Sequence, residues 1–281
     1  MKEFVLEATT DVPVAAGPLA LKGRLGAFAE LTKPRITFLI VLTSAAGFCL
    51  GSKGSFDYLL LFNSLFGIAL LSSGIATLNQ YMERGLDARM RRTLSRPLPA
   101  GKISAGHALA FGLTVIVGYL LCYTPLKTRS SLSTVVGAFP GAMPPLMGWT
   151  AATGFAGAEA WALFAILFAW QFPHFLAIAW MYREDYARAG ILMLPVVEPQ
   201  CRITSQQIVV WSLLLVPVSL FPALLGTTGA VYFYGAFVLG ILFLGTSIHA
   251  ALAHTRQGAR RLLLASVLYL PVLFGLMVFN K

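Results

Sequence analysis

Residues 57–104 read DYLLLFNSLFGIALLSSGIATLNQYMERGLDARMRRTLSRPLPAGKIS. The first half is an apolar run of the length, about 20 residues, that crosses a bilayer as helix. The second half is polar and strongly basic. Where the apolar run ends, Asn79, Glu83 and Asp87 follow at i, i+4 and i+8. A helix that continues past the run carries all three on one face. Oxygen donors grouped in this way suit Mg²⁺, which binds carboxylates and carbonyls and keeps substrate phosphates among its other ligands. Arg89, Arg91, Arg92, Arg96 and Lys102 come next. Cations beside metal-binding oxygens are what a diphosphate needs. The stretch predicts a pyrophosphate site at a membrane surface.

The rest of the chain supplies the membrane part. It is 57% apolar and 11% charged, with a mean hydropathy of +0.76, where soluble domains carry roughly 25% charge. Apolar blocks predict spans near 35–52, 57–81, 106–125, 131–150, 159–181, 206–225, 229–253 and 261–279. These are solid blocks, whereas a membrane β-barrel shows alternating segments. The expected class is all-α, a polytopic membrane helical bundle with one membrane domain over 31–281. Residues 1–30 read as a cytoplasmic N-terminal tail. Their short apolar patches are interrupted by Asp11, Pro13, Gly17 and Pro18, so no signal peptide is expected. The net charge of +10 would suit nucleic acid. Here the cations sit in loops beside spans, where topology accounts for them, and no nucleic-acid role is expected. Cys49, Cys122 and Cys201 show no CxxC or CxxCH spacing, which excludes a covalently attached c-type haem. Cys49 and Cys122 fall within spans and read as packing residues.

Lys/Arg-rich loops stay in the cytoplasm. That places inside the N-terminus (Lys22, Arg24, Lys33, Arg35), the 82–104 loop, the 182–205 loop and the 254–260 loop; 51–56, 151–158 and 226–228 fall outside. One place resists. Leu126–Ser130 carries Lys127 and Arg129 and also belongs inside, yet only 106–125 separates it from the 82–104 loop. Two crossings need about 40 residues. Moreover, 82–104 and 182–205 share one substrate only if an even number of crossings separates them, and three segments lie between. Either 106–125 dips in and returns, or another segment is no simple crossing. The expectation is that Thr93, Ser130 and Ala189 all face the cytoplasm.

A second polar group lies in Trp170–Val197, WQFPHFLAIAWMYREDYARAGILMLPVV. A histidine inside a span, His174, is a functional hypothesis by default; a hydrogen-bonded core histidine is the alternative. Arg183, Glu184, Asp185 and Arg188 follow at the inner end. Such a cluster is often a solvated helix end. Its mixture of carboxylates and arginines, on the same side as the first group, favours a second Mg²⁺ site facing the first across a diphosphate. His107, His249 and His254 read as structural or interfacial. Pro140, Pro144 and Pro145 are expected to bend the 131–150 segment, and Trp149, Trp161, Trp180 and Trp211 to anchor at the interfaces.

These residues carry a resemblance. Asn79-x3-Glu83-x3-Asp87, Arg92-Thr93-x2-Arg96-Pro97-Leu98 and Gly101-Lys102-Ile103-Ser104 resemble the first metal motif of the UbiA superfamily of intramembrane prenyltransferases. Leu31-Thr32-Lys33-Pro34-Arg35-Ile36, Trp170–Trp180 and Arg183–Val197 are similar to its protohaem IX farnesyltransferase (haem O synthase) branch. The likeness runs from about Leu31 to the C-terminus. It departs from the family in three ways. Glu83 stands where many members have Asp. The second site rests on Asp185, with Glu184 beside it, in place of a DxxxD. Tyr123-Thr124-Pro125-Leu126-Lys127 follows the first motif after one apolar segment where the family has two, giving about eight segments against nine.

The resemblance implies transfer of a farnesyl group from farnesyl diphosphate to a vinyl group of haem b, giving haem O. It implies Mg²⁺ on Asn79, Glu83, Asp87 and Asp185; diphosphate on Lys33, Arg35, Arg92, Arg96 and Arg183; and His174 on the haem iron or a propionate. It also implies a multi-pass protein of the bacterial inner membrane, N-terminus cytoplasmic, passing product to a haem A synthase. The alternatives are a UbiA-type enzyme with an aromatic or quinone-precursor acceptor, a non-catalytic haem-binding assembly protein, and an anionic-lipid or metabolite transporter.

Overall fold

The computed structural model describes residues 21–54, 56–102 and 138–281. Among these, regular structure is entirely helical: α1 (Leu21–Leu31), α2 (Pro34–Gly51), α3 (Tyr58–Asp87), α4 (Met143–Thr153), α5 (Ala158–Met181), α6 (Arg183–Arg188), α7 (Leu194–Val197), α8 (Arg202–Leu224), α9 (Ala230–Ala253) and α10 (Arg256–Phe279). Six of them, α2, α3, α5, α8, α9 and α10, are long and apolar enough to cross a membrane. They correspond to six of the eight expected spans. Segment 106–125, the Leu126–Ser130 loop and residues 1–20 lie outside the described residues.

The helices begin and end where the chain can satisfy their free backbone groups. Asp57 accepts from Leu60 N–H at 2.8 Å to start α3. Thr255 does the same for α10 through Gly258 N–H. Glu198 takes the first N–H groups of α8, from Arg202 at 2.6 Å and Ile203 at 3.0 Å. Both α8 and α10 therefore start earlier than their apolar blocks do. In the other direction, α3 runs six residues past its apolar block to Asp87.

The expected 131–150 span lies partly outside the described residues, which take it up at 138. Its described part is helical over 138–141, breaks at Ala142, and restarts as α4, which ends at Thr153. Pro144 and Pro145 have no N–H to give, so they fit only the first turn of a new helix. The bend expected from the prolines is therefore present. At 11 residues, or about 16 Å, α4 alone is too short to cross. Residues 21–30 belong to the expected N-terminal tail. They fold as α1, whose Ala27 and Leu31 pack against Tyr81 and Leu98.

The bundle is built around α5, the most enclosed helix, and its lipid-facing rim is apolar: Leu252 and Phe279 are 77% and 92% exposed. Close approach of α2 and α4 depends on glycine. A Cβ on Gly148 would stand 1.8 Å from the Ser44 carbonyl oxygen, and one on Gly47 would stand 2.0 Å from that of Pro145. Small residues serve helix contact in membranes in this way because lipid supplies no hydrophobic drive between helices. On the other side, hydroxyls join α8, α9 and α10: Ser212 with Ser247, Ser219 with Tyr269, and Tyr232 donating to the Ser219 carbonyl.

Candidate active site

Asn79, Glu83 and Asp87 lie on successive turns of α3, on one face, as their spacing predicts. The environments differ. Asn79 Oδ1 is buried and has no hydrogen-bond partner. Glu83 is 8% exposed and Asp87 fully buried. Asp87 organises the loop after the helix. Arg96 Nη1 donates to both its carboxylate oxygens, at 2.8 and 2.7 Å, and Thr93 Oγ1 donates to its carbonyl at 2.7 Å. The chain thus folds back on the helix end, and Arg96 is held against Asp87.

Three segments converge on this end of α3. The Leu31 carbonyl accepts from buried Gln80 Nε2 at 2.9 Å. That contact fixes the turn holding Lys33, in the left-handed conformation (φ 49°), and exposed Arg35 beside the helix. Lys102 approaches Glu30 of α1 at 3.7 Å. From the other flank, Met90 packs with Ala189 and Ile191, and Leu86 and Tyr186 pack against that cluster. Arg92 donates to Tyr186 Oη at 3.3 Å and lies over the rings of Tyr182 and Tyr186. The two charged segments, 108 positions apart when counted from Glu83 to Ile191, therefore meet at one end of the bundle, as the parity argument requires. Thr93 and Ala189 belong to this meeting; Ser130 lies outside the described residues.

The second group is less free than expected. Asp185 is paired with Arg188 three residues on. Arg183 Nη1 donates to the Pro199 carbonyl at 3.3 Å, and Glu184 is exposed. Nothing on the sequence signalled the roles of Gln80, Tyr182 and Tyr186, since their partners are distant in the chain.

The donor set fits a hard divalent cation. Asn79 Oδ1 is a buried acceptor without a donor, and the Glu83 carboxylate lies one turn along. An unmet buried acceptor is costly unless something positive approaches it. Among the described residues no cluster of three His, Cys, Asp or Glu side chains forms a closed metal cage.

A cavity of about 510 Å³ opens between α2, α4, α5 and α10. Its wall is apolar and includes Ile36, next to Arg35, so it adjoins the cationic corner. His174 also lines it. The His174 ring stacks on Trp170, and its Nδ1 is 2.8 Å from Ser266 Oγ. Beside it, buried Gln171 donates to the Ala138 carbonyl. Residues 40–117 and 109–274 match the UbiA prenyltransferase family. The chain belongs to the UbiA family.

Relatives within the UbiA family follow the chain over nearly their whole length. The chain is 47% identical to a protoheme IX farnesyltransferase of Solibacter usitatus, over 90% of this chain and 98% of the relative. It is 44% identical to one of Koribacter versatilis, over 96% and 97%. The Solibacter alignment spans 286 residues, more than the 281 of this whole chain, while taking in 90% of it. The relative thus has residues with no counterpart here. The two matched ranges overlap at 109–117. The fold is similar to a digeranylgeranylglyceryl phosphate synthase (TM-score 0.69, 15% identity, 92% of this chain and 98% of that one) and to a UbiA homologue from Aeropyrum pernix (TM-score 0.63, 16% identity, 84% and 96%).

Proposed function

We propose that this membrane protein transfers the farnesyl group of farnesyl diphosphate to a vinyl group of haem b, giving haem O and diphosphate. The observation that carries this reading is the full-length likeness to protoheme IX farnesyltransferases. The architecture fits it: charged segments meet at one end of α3, and an apolar cavity begins beside them.

Asn79 and Glu83 would hold Mg²⁺, together with Asp87 and Asp185. Bound there, Mg²⁺ neutralises diphosphate charge and makes it a better leaving group. A UbiA homologue from Archaeoglobus fulgidus has been solved bound to GPP and Mg²⁺, which supports a divalent ion here. Lys33, Arg35, Arg92, Arg96 and Arg183 are the cations assigned to the diphosphate oxygens, and Asp87 fixes the direction of Arg96. Preorganised cations aimed at developing negative charge commonly dominate catalysis. The farnesyl C1–O bond breaks with its electron pair going to the diphosphate. The vinyl π electrons then form the new bond to C1. Water adds to the resulting haem-side cation and a proton is released. The apolar wall keeps water from the allylic cation until the acceptor reacts. His174 lies on that wall and contacts the haem. The N-terminus faces the cytoplasm of a bacterial inner membrane, and a haem A synthase receives the product.

Incubating the purified chain with haem b, farnesyl diphosphate and Mg²⁺ is expected to give haem O by mass. Prenylation of 4-hydroxybenzoate or a naphthoate, with haem left unchanged, would overturn the acceptor and leave the family.

A further inference from the structure

The His174 ring is held from two sides. Trp170 and His174, one turn apart on α5, both dock on Ser266 of α10. Trp170 Nε1 donates to the Ser266 carbonyl at 2.8 Å, and the two rings stack with centroids 4.6 Å apart. Phe175 meets the imidazole edge-on. A ring fixed in this way presents its second nitrogen in one direction.

The hydrogen-bond network decides which nitrogen carries the proton. Ser266 Oγ donates to the Leu263 carbonyl at 2.6 Å. A hydroxyl has a single proton, so Ser266 cannot also donate to His174. The 2.8 Å contact is therefore Nδ1–H donating to Ser266 Oγ. The surrounding wall is apolar, where a charged ring is costly, so the imidazole is neutral. Its lone pair is then on Nε2. That nitrogen has no hydrogen-bond partner among the described residues and belongs to a side chain lining the cavity.

A cavity-side lone pair with no donor among the described residues disfavours one ligand and favours another. A propionate offers only acceptor oxygens and would meet the Nε2 lone pair with repulsion. A haem iron requires such a lone pair. A second hydrogen bond that fixes the tautomer of a ligating histidine is the usual outer support of a metal–imidazole bond. The depth is also suitable. His174 lies seven residues before Met181, so the iron would sit about 10 Å along α5 from the charged end.

We infer that His174 Nε2 is the axial ligand of the haem iron in the acceptor complex, with Ser266 as a positioning residue that holds the Nδ1–H tautomer. This rests on haem b being the acceptor. Ligation orients the macrocycle; it takes no part in bond-making at the vinyl group.

The test is resonance Raman spectroscopy of ferrous haem b added to the purified full chain in detergent. The wild type is expected to show an iron–histidine stretch. His174→Ala is expected to lose it, and added imidazole to restore it. Ser266→Ala is expected to retain haem with about tenfold weaker binding and to shift the band, because Nδ1–H loses its acceptor. Should His174→Ala not fold, Ser266→Ala decides alone, and an unshifted band there overturns the assignment. An unchanged band in His174→Ala overturns it as well. So does a wild type that makes haem O without any iron–histidine band; in that case the haem reading stands. A wild type that neither binds nor farnesylates haem removes both.

Discussion

Asn79 Oδ1 and the Asp87 carboxylate are both buried acceptors on one helix face, and they are satisfied in opposite ways. Their substitutions should therefore separate catalysis from stability. Asn79→Ala removes an acceptor that makes no internal hydrogen bond, so the thermal midpoint in detergent should hold or rise. Mg²⁺-dependent turnover should fall roughly 10²–10³-fold, the scale of losing one preorganised group. Asp87→Ala leaves Arg96 without its partner. The protein should remain folded in the membrane, but with a lower midpoint and with turnover abolished. Product mass and a melting curve measure both. Near-normal turnover in Asp87→Ala would remove the first motif from the mechanism. At this scale the sequence put Asn79, Glu83 and Asp87 on one face, since i, i+4, i+8 spacing survives any packing. It did not distinguish an unmet acceptor from one held by Arg96, because a loop closed that pair.

Among the elements, the α2–α4 contact is the tightest point near the site, and α2 also walls the cavity. Gly148→Ala places a methyl group against the Ser44 backbone and cannot be absorbed by a side-chain rotation. We expect a loss of about 1–3 kcal/mol, read as a lower melting midpoint, with reduced turnover as α2 is displaced. Gly245→Ala on α9, where nothing lies within 4 Å, is the control and should be neutral or mildly stabilising. Equal midpoints for the two variants would refute the interlock. Helix existence was legible from apolar blocks, and the α4 break from Pro144 and Pro145. The early starts of α8 and α10 were less visible. They depend on caps from Glu198 and Thr255, which let charged residues join an otherwise apolar helix.

For the whole molecule, the packing of Met90 against Ala189 and Ile191 requires one membrane face for both charged segments. Thr93 and Ala189 are buried, so exposed Ser95 and Ala187 are the better reporters. Single cysteines at 95 and 187, in a chain lacking Cys49, Cys122 and Cys201, should both react with an impermeant reagent from the cytoplasmic side. Reaction of the two from opposite sides would separate the motifs and end the shared-site reading. The sequence by itself determined the helical membrane class, the family and the shared α3 face of Asn79, Glu83 and Asp87, because hydropathy and helical periodicity are local properties that bilayer and backbone enforce together. Only the tertiary structure decided that Arg96 belongs to Asp87, that Arg92 rests on Tyr182 and Tyr186, and that Ser266 sets the His174 tautomer. Those pairs join residues 9, 94 and 92 positions apart. No periodicity links them; they meet because the chain turns back after α3 and because helices far apart in sequence pack side by side.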